Sequence, residues 1–371
     1  MIIEIYDPLH PFTKAALDSY TSKGWLRGST QLYRSEIICI EDTISEIINV
    51  RIDLEKYQHK KKYSKLLKQN EQKFQIVIQP LAIDDEKEAL YEQHKPKFKN
   101  FIYNNLVHFF GSNKAESLVF DTHEIAVYEN EKLIAISFFD LGEVSLVSLL
   151  AVYDLNYAKN SLGIYTMLLE IVYAQSLNLK YYHPGYIISG SNSFDYKLKI
   201  AEYEFYNWNG EWQTWGELSA QDSNVKHYIR KVAELENTLK AYSKKTKKMY
   251  YPFFSVGDIH YSFSSPVFFA FLTDNWEIET QYDEKTGASV IKQILPEDFI
   301  GVSYNIQNQL FELTIIEKYA VISFQTMSYG LDILNNDNYC INSLQKIEVL
   351  FQASTAKDLI AFGENLAIGY F

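Results

Sequence analysis

The stretch LKYYHPGYIISGSNSFDYKLK, from Leu179 to Lys199, holds four tyrosines, two glycines and three serines directly behind a long apolar run. A loop that only connects two elements needs neither this length nor this many hydroxyls. It either packs against something or presents hydrogen-bonding groups to a ligand. Two lysine runs are the other candidates for chemistry. KYQHKKKYSKLLK carries Lys56, Lys60, Lys61, Lys62, Lys65 and Lys68, and KAYSKKTKKM carries Lys240, Lys244, Lys245, Lys247 and Lys248. Either can meet a phosphate-bearing partner and release its counterions. The plain alternative for both is a solvated helix face. Cys39 and Cys340 lie far apart, with no other Cys or His at metal-ligand spacing, so they make neither a disulfide framework nor a metal centre.

The elements that must position these groups are bounded first by composition. A chain of 371 residues exceeds one ordinary core and predicts two or three domains. Its 47% hydrophobic content excludes a disordered chain, and a formal charge of −12 argues against a general nucleic-acid coat. The start, MIIEIYDPLHPF, lacks the basic and apolar segments of a signal peptide. No stretch reaches the roughly 18 apolar residues of a membrane span. The reading is cytoplasmic, with no membrane partner.

Along the chain, SEIICIEDTISEIINVRIDL reads as strands, a lysine-rich helix follows, and KFQIVIQPLAI reads as a strand closed by Pro80. Asp84 to Gly111 reads as helical on both sides of Pro96, with Gly111 as its stop. HEIAVYENEKLIAISFFDLG predicts two strands joined at ENEK, and EVSLVSLLAVY predicts a third, central one. A buried helix follows, capped by Asn160 or Ser161, and KYYHPGYII returns as a strand. The fold class is α+β. We divide it into a small mixed N-terminal unit (1–83), a mixed-sheet central domain (84–215) and an additional α+β domain (220–371) in which no motif is legible. The central order is that of the GNAT-like (acyl-CoA N-acyltransferase-like) fold, in which the strand before the helix splays from its neighbour. The helix entry NSLGIY can offer backbone N–H groups to an anion, but its single glycine gives little support to coenzyme A binding.

Two blocks of residues resemble the arginyl/leucyl-tRNA–protein transferases. The first is GWLRGSTQLYR (Gly24 to Arg34), followed by VRIDLEKYQHKKKYSKLLK. The second runs from FDTHEIAVYENEKLIAISFFD through SLGIYTMLLEIVYAQSLNLKYYHPGYIISGSNSFDYK. It is similar to that family's Ser-Leu-Gly-x-Tyr helix, Tyr-Tyr-x-x-Gly-Tyr-x-Ile loop and closing Met-x-Tyr-Lys. The similarity covers roughly residues 15–210. This chain departs from the pattern at Phe194-Asp195, and it has only Cys39 where the family carries a cysteine cluster. We therefore expect no metal and no cofactor.

The resemblance implies transfer of Arg or Leu from aminoacyl-tRNA to an acceptor protein N-terminus, with acidic N-termini as targets. The ester is already activated, so orientation, a proton route and donors to the oxyanion are the main needs. On that reading Glu170, which shares the least apolar helix face with Gly163, Thr166 and Ala174, accepts the amine proton or holds a cationic substrate group, with Tyr186 and Lys197 as the other catalytic candidates. Trp25, Arg27, Ser29, His123, Tyr165, Tyr182, Gly185, Ser191, Asp195 and Tyr196 are the substrate-binding candidates, with Arg27 gripping an acceptor carboxylate. Lys60, Lys61, Lys62 and Lys65 would meet tRNA. Two alternatives remain: a lapsed family member that binds protein N-termini or tRNA without transfer, and an acetyl-coenzyme A-dependent acetyltransferase.

Overall fold

The computed structural model describes residues 3–9, 11–40, 42–189, 195–207, 209–214, 223–254, 263, 265–272, 277–283, 288–294, 296–323 and 325–365. Strand β1 (Ile3–Tyr6) precedes helix α1 (Lys14–Thr21), whose N-terminus is capped by Thr13 accepting from the Ala16 amide at 3.1 Å. With β2 (Leu26–Gly28) and β3 (Gln31–Ser35), β1 makes a small antiparallel sheet ordered β1-β3-β2. A hairpin of β4 (Ile37–Ile40) and β5 (Thr43–Asp53) follows, then α2 (Lys61–Glu71) and β6 (Gln75–Pro80).

The segment expected to be helical throughout is α3 (Asp85–His94), then strand β7 (Phe101–Tyr103), then α4 (Leu106–Phe110). The strand is the correction. Asn100 turns the chain with φ +60°, and Phe101–Tyr103 pair antiparallel with a segment far away in sequence, a tertiary contact that local periodicity does not register. Gly111 does stop α4, at φ +83°.

The hairpin of β8 (Thr122–Glu129) and β9 (Lys132–Leu141) turns at Asn130 and Glu131, with φ +49° and +67°. Strand β10 (Ser145–Tyr153) leads into α5 (Leu162–Ser176), and the return is two short strands, β11 (Tyr181–His183) and β12 (Tyr186–Ile188), broken at Pro184-Gly185. A single helical turn α6 (Asp195–Leu198) and strands β13 (Glu204–Tyr206) and β14 (Trp212–Thr214) close this part. The expected cap of α5 is not made by a side chain. Ser161 takes φ +51° as a tight turn runs into the helix, and no side-chain cap bond forms there.

These strands form one mixed sheet ordered β14-β13-β5-β11-β10-β9-β8-β6, with β4 and β12 also paired to β5. The boundary expected at residue 83 runs through this sheet, because β5 and β6 lie on either side of β8–β11. Helices α5 and α2 bury one face, with Leu168, Ile171 and Leu67 against Ile52, Ile125 and Val127. Leu90 and Phe110 of α3 and α4 meet Ile136 and Phe138 on the other. Strands β10 and β11 run parallel but touch only over Ser145–Val147 and Tyr181–His183. Past these residues β10 bulges between Ser148 and Leu150 and parts from its neighbour.

The C-terminal unit begins with α7 (Asn224–Ala241), capped by Ser223. Strands β15 (Thr246–Tyr250), β16 (Val267–Phe271), β17 (Glu277–Asp283), β18 (Ala288–Ile294), β19 (Asp298–Asn305), β20 (Leu310–Val321), β21 (Met327–Tyr329) and β22 (Asn342–Ala353) follow, then α8 (Ala356–Asn365). Its main sheet is antiparallel in the order β15-β16-β19-β20-β22; β17 pairs β18, and β21 pairs β7. Among the described residues no helix is long and apolar enough to cross a membrane.

Candidate functional site

Ser148 to Ala151, on the parted stretch of β10, are half-buried where a central strand would ordinarily be covered. The face of α5 expected to be least apolar points at this gap: Thr166, Glu170 and Ala174 are buried against the sheet. Gly163 lies close under Tyr153: a Cβ there would stand 3.2 Å from the ring, which would have to shift slightly to admit it. Glu170 is fully buried, and its Oε2 accepts from the Tyr182 hydroxyl at 2.6 Å. Burial pushes the Glu170 carboxyl up to about 7. The hydroxyls of Tyr182, Ser148 and Ser137 and the charge of Lys197 hold it down against that pressure. Among the described residues neither Glu170 Oε1 nor Ser137 Oγ has a partner at hydrogen-bonding geometry.

Lys197 reaches the same place from α6. Its Nζ donates to the Pro184 carbonyl at 2.8 Å and the Tyr186 carbonyl at 3.3 Å. The stem keeps some surface while the ammonium is enclosed. Burial lowers its pKa to about 8, and Glu170 works in the opposite direction. Gly185 stands at φ +87° beside this ammonium, and its carbonyl accepts from the Val50 amide, so the turn is closed in a conformation that favours glycine.

Other expected site residues lie elsewhere. Tyr182 and Tyr186 point to opposite faces of the sheet: Tyr182 stands against Ile52 and Tyr186 against Asn49, three positions apart on β5. Tyr182 and Tyr165 are wholly buried, so neither can stack on a ligand as it stands. Arg27 is also corrected. Its guanidinium pairs with Asp140 inside the protein, donates to Thr122 at 2.9 Å and lies 4.3 Å from the centre of the Phe120 ring. It has no freedom to meet an acceptor carboxylate. His123 pairs with Asp121 at 3.0 Å, two strands away from β10. Trp25 packs edge-on to Tyr20, and Arg34 lies over its face. Ser29 sits in a turn at φ +58°, with its carbonyl taken by Arg27. Tyr196 stays 38% exposed near Glu170 and Tyr153. Asp195 opens α6, and Ser191 lies outside the described residues.

On α2, Tyr63, Leu67 and Asn70 face inward, and Lys61, Lys62 and Lys65 are exposed. Lys60 donates to the Lys199 carbonyl at 2.9 Å. Cys39 and Cys340 are buried, and burial pushes both thiols well up, Cys340 to about 12. Among the described residues no group of three or more His, Cys, Asp or Glu could hold a metal. The residues not anticipated are Ser137, Ser148 and Tyr153. For the two serines a signal existed, a polar residue inside an apolar strand run.

Residues 55–207 match the family described as arginine-tRNA-protein transferase, C terminus. The aspartate/glutamate leucyltransferase of Leptospira interrogans is 28% identical over 198 residues, half of this chain and 72% of that protein. The enzyme of that name from Acinetobacter baumannii is 23% identical over 222 residues, 56% of this chain and 75% of its own. Among solved structures, a GCN5-related glucosamine N-acetyltransferase region of a fungal β-N-acetylglucosaminidase aligns at TM-score 0.28 and 11% identity, over 57% of this chain and 23% of that one.

Proposed function

We propose that this chain, a member of the arginine-tRNA-protein transferase family through residues 55–207, moves leucine from charged tRNA to the α-amine of proteins that begin with Asp or Glu. The observation that carries the reading is the Glu170–Tyr182 contact, held with Lys197 where β10 and β11 part. Leucine, rather than arginine, is favoured by the names of the relatives.

In the reaction the acceptor nitrogen attacks the ester carbonyl. A C–N bond forms, the C–O bond to the ribose breaks, and the proton shed by nitrogen ends on the departing ribose oxygen. Glu170 is sealed from solvent, so it takes that proton through the Ser148 hydroxyl and returns it. A carboxyl near 7 is suited to both steps. The enclosed ammonium of Lys197 stabilises the oxyanion, where low dielectric strengthens it.

The test offers purified protein tRNA charged with labelled Leu or Arg, and peptides beginning with Asp, Glu or Ala. Label on the acidic peptides from leucyl-tRNA alone is the expected result. Transfer from arginyl-tRNA alone would overturn the donor. Binding without transfer would favour the lapsed reading, for which the commitment of Arg27 to Asp140 is the specific observation.

A further inference from the structure

Helix α1 precedes the residues of the family match and lies on the sheet face opposite α5. Its Leu17 packs in one apolar cluster with Val147 of β10, while the neighbouring Leu146 points to the α5 side. Next to Leu17, Asp18 reaches the turn between β9 and β10. Its Oδ2 accepts from the Glu143 amide at 2.7 Å and the Val144 amide at 3.0 Å, and its Oδ1 accepts from the Ser145 hydroxyl. The Gly142 amide closes the turn by donating to the Ser145 carbonyl at 2.8 Å. Gly142 is matched to this contact, since a Cβ there would collide with the Asp18 carboxylate. The helix is tied down on both sides, by the Phe12 amide on the Val119 carbonyl at 3.0 Å and by the Trp212 indole on the Ser22 carbonyl at 2.8 Å.

The same turn holds the returning strand. The Val144 carbonyl accepts from the Lys180 amide at 2.8 Å and the Tyr181 amide at 3.0 Å, where β11 begins. Strands β10 and β11 then pair only from Ser145 to Val147 and from Tyr181 to His183, with Leu146 opposite Tyr182. The Tyr182 hydroxyl in turn donates to Glu170. Asp18 and Glu170 are thus joined by an unbroken run: carboxylate to Val144 amide, Val144 carbonyl to Tyr181 amide, and Tyr182 hydroxyl to carboxyl. Strand β5 holds the far edge of β11 over Tyr181 and Tyr182. Its near edge is set at the turn that Asp18 braces. The polar groups that act on Glu170 are Tyr182, Ser148, Ser137, Lys197 and Tyr196, and the first two ride on the strands this short junction joins.

We propose that Asp18 is a positioning residue for the transfer: by bracing the β9–β10 turn it fixes where β11 starts, and so seats the Tyr182 hydroxyl on the Glu170 carboxyl. This rests on the transferase reading. Asp18 acts through the turn, from the sheet face that α5 does not cover.

The test follows transfer from leucyl-tRNA to a peptide beginning with Glu across pH, in the full chain. Asp18→Ala should lower kcat about tenfold or more, the effect of a misplaced reacting group. It should also move the acid limb of kcat/KM to higher pH, because the Tyr182 hydroxyl favours the charged carboxyl and is withdrawn. Asp18→Asn keeps an acceptor for both amides and should recover most of the loss. Gly142→Ala leaves the carboxylate in the chain but displaces it, and should reproduce Asp18→Ala. Tyr182→Phe is the reference: in that background Asp18→Ala should move the limb no further. A lower melting temperature in Asp18→Ala with an unmoved acid limb would overturn the proposal, as would a shift that adds to that of Tyr182→Phe. Should the wild type transfer nothing, the transferase reading fails, and urea midpoints at pH 5 and pH 8 decide the seating alone. A loss of stability between the two that grows alike in Asp18→Ala, Gly142→Ala and Tyr182→Phe supports it. A loss that grows in Tyr182→Phe and stays at the wild-type value in the other two removes it.

Discussion

The Tyr182 hydroxyl donates to Oε2 of Glu170 at 2.6 Å, joining the start of the returning strand to the middle of the crossover helix. Both residues are wholly buried, so the contact fixes the carboxyl beneath β10 and leaves its protonation to the surroundings. Burial dominates those surroundings and favours the neutral acid.

Stability should record this directly. Glu170 rises from 4.5 to about 7 on folding, so across that window the folded chain keeps a proton that the unfolded chain gives up. The contribution of this group therefore falls as pH rises through the window, by roughly 3 kcal/mol once pH exceeds the folded value. Glu170→Gln abolishes that slope. Urea midpoints near pH 5 and pH 8 check it: the wild type should lose more between the two than the variant. An equal loss in both would mean that Glu170 is not the group that titrates.

Lys197 and Glu170 act on each other, each moving the other toward its charged form. Lys197→Met should therefore raise the Glu170 carboxyl further, and the acid limb of kcat/KM against pH should move to higher pH. The rate at the optimum should fall by about a hundredfold or more as an oxyanion donor is lost. A lower rate with an unmoved acid limb would place Lys197 in the reaction without coupling it to Glu170.

The strand–helix–strand order around α5 was legible because it depends on local periodicity and turn chemistry. The buried layer was half legible. Helical spacing grouped Glu170 with Thr166 and Ala174, a face that is buried, but the hydroxyls around it come from β9, β10 and β11, whose register no local pattern sets. Tyr182 and Tyr186 look equivalent in YYHPGY, yet the break at Pro184-Gly185 sends them to opposite faces. Arg27 looked like a carboxylate receptor because its partner, Asp140, is 113 residues away. The strand β7 was missed for the same reason, since β21 lies more than 200 residues downstream.

Arg27 should accordingly behave as a core residue. Arg27→Ala leaves Asp140 buried and unpaired, at a cost of about 3–5 kcal/mol. Thermal unfolding should show the loss, while the acceptor KM of whatever remains folded stays near the wild type. The double change Arg27→Met with Asp140→Leu removes both charges and should recover most of the stability. A large rise in acceptor KM with an unchanged melting temperature would return Arg27 to the substrate.

The lysines of α2 can be separated by what they already bind. Lys61, Lys62 and Lys65 are exposed, whereas Lys60 spends a hydrogen bond on the Lys199 carbonyl. A cation that meets a phosphate releases counterions, so each such contact adds about one to the slope of log affinity against log salt. Charge reversal of Lys61, Lys62 and Lys65 together should weaken tRNA binding most at low salt and flatten that slope by about three. Lys60→Glu should change it less, since part of its capacity is used within the protein. Peptide binding should be unaffected by all four. Titrations of tRNA at several salt concentrations would decide it: an unchanged slope after the triple reversal would make α2 a solvated helix face and move the search for the tRNA surface elsewhere.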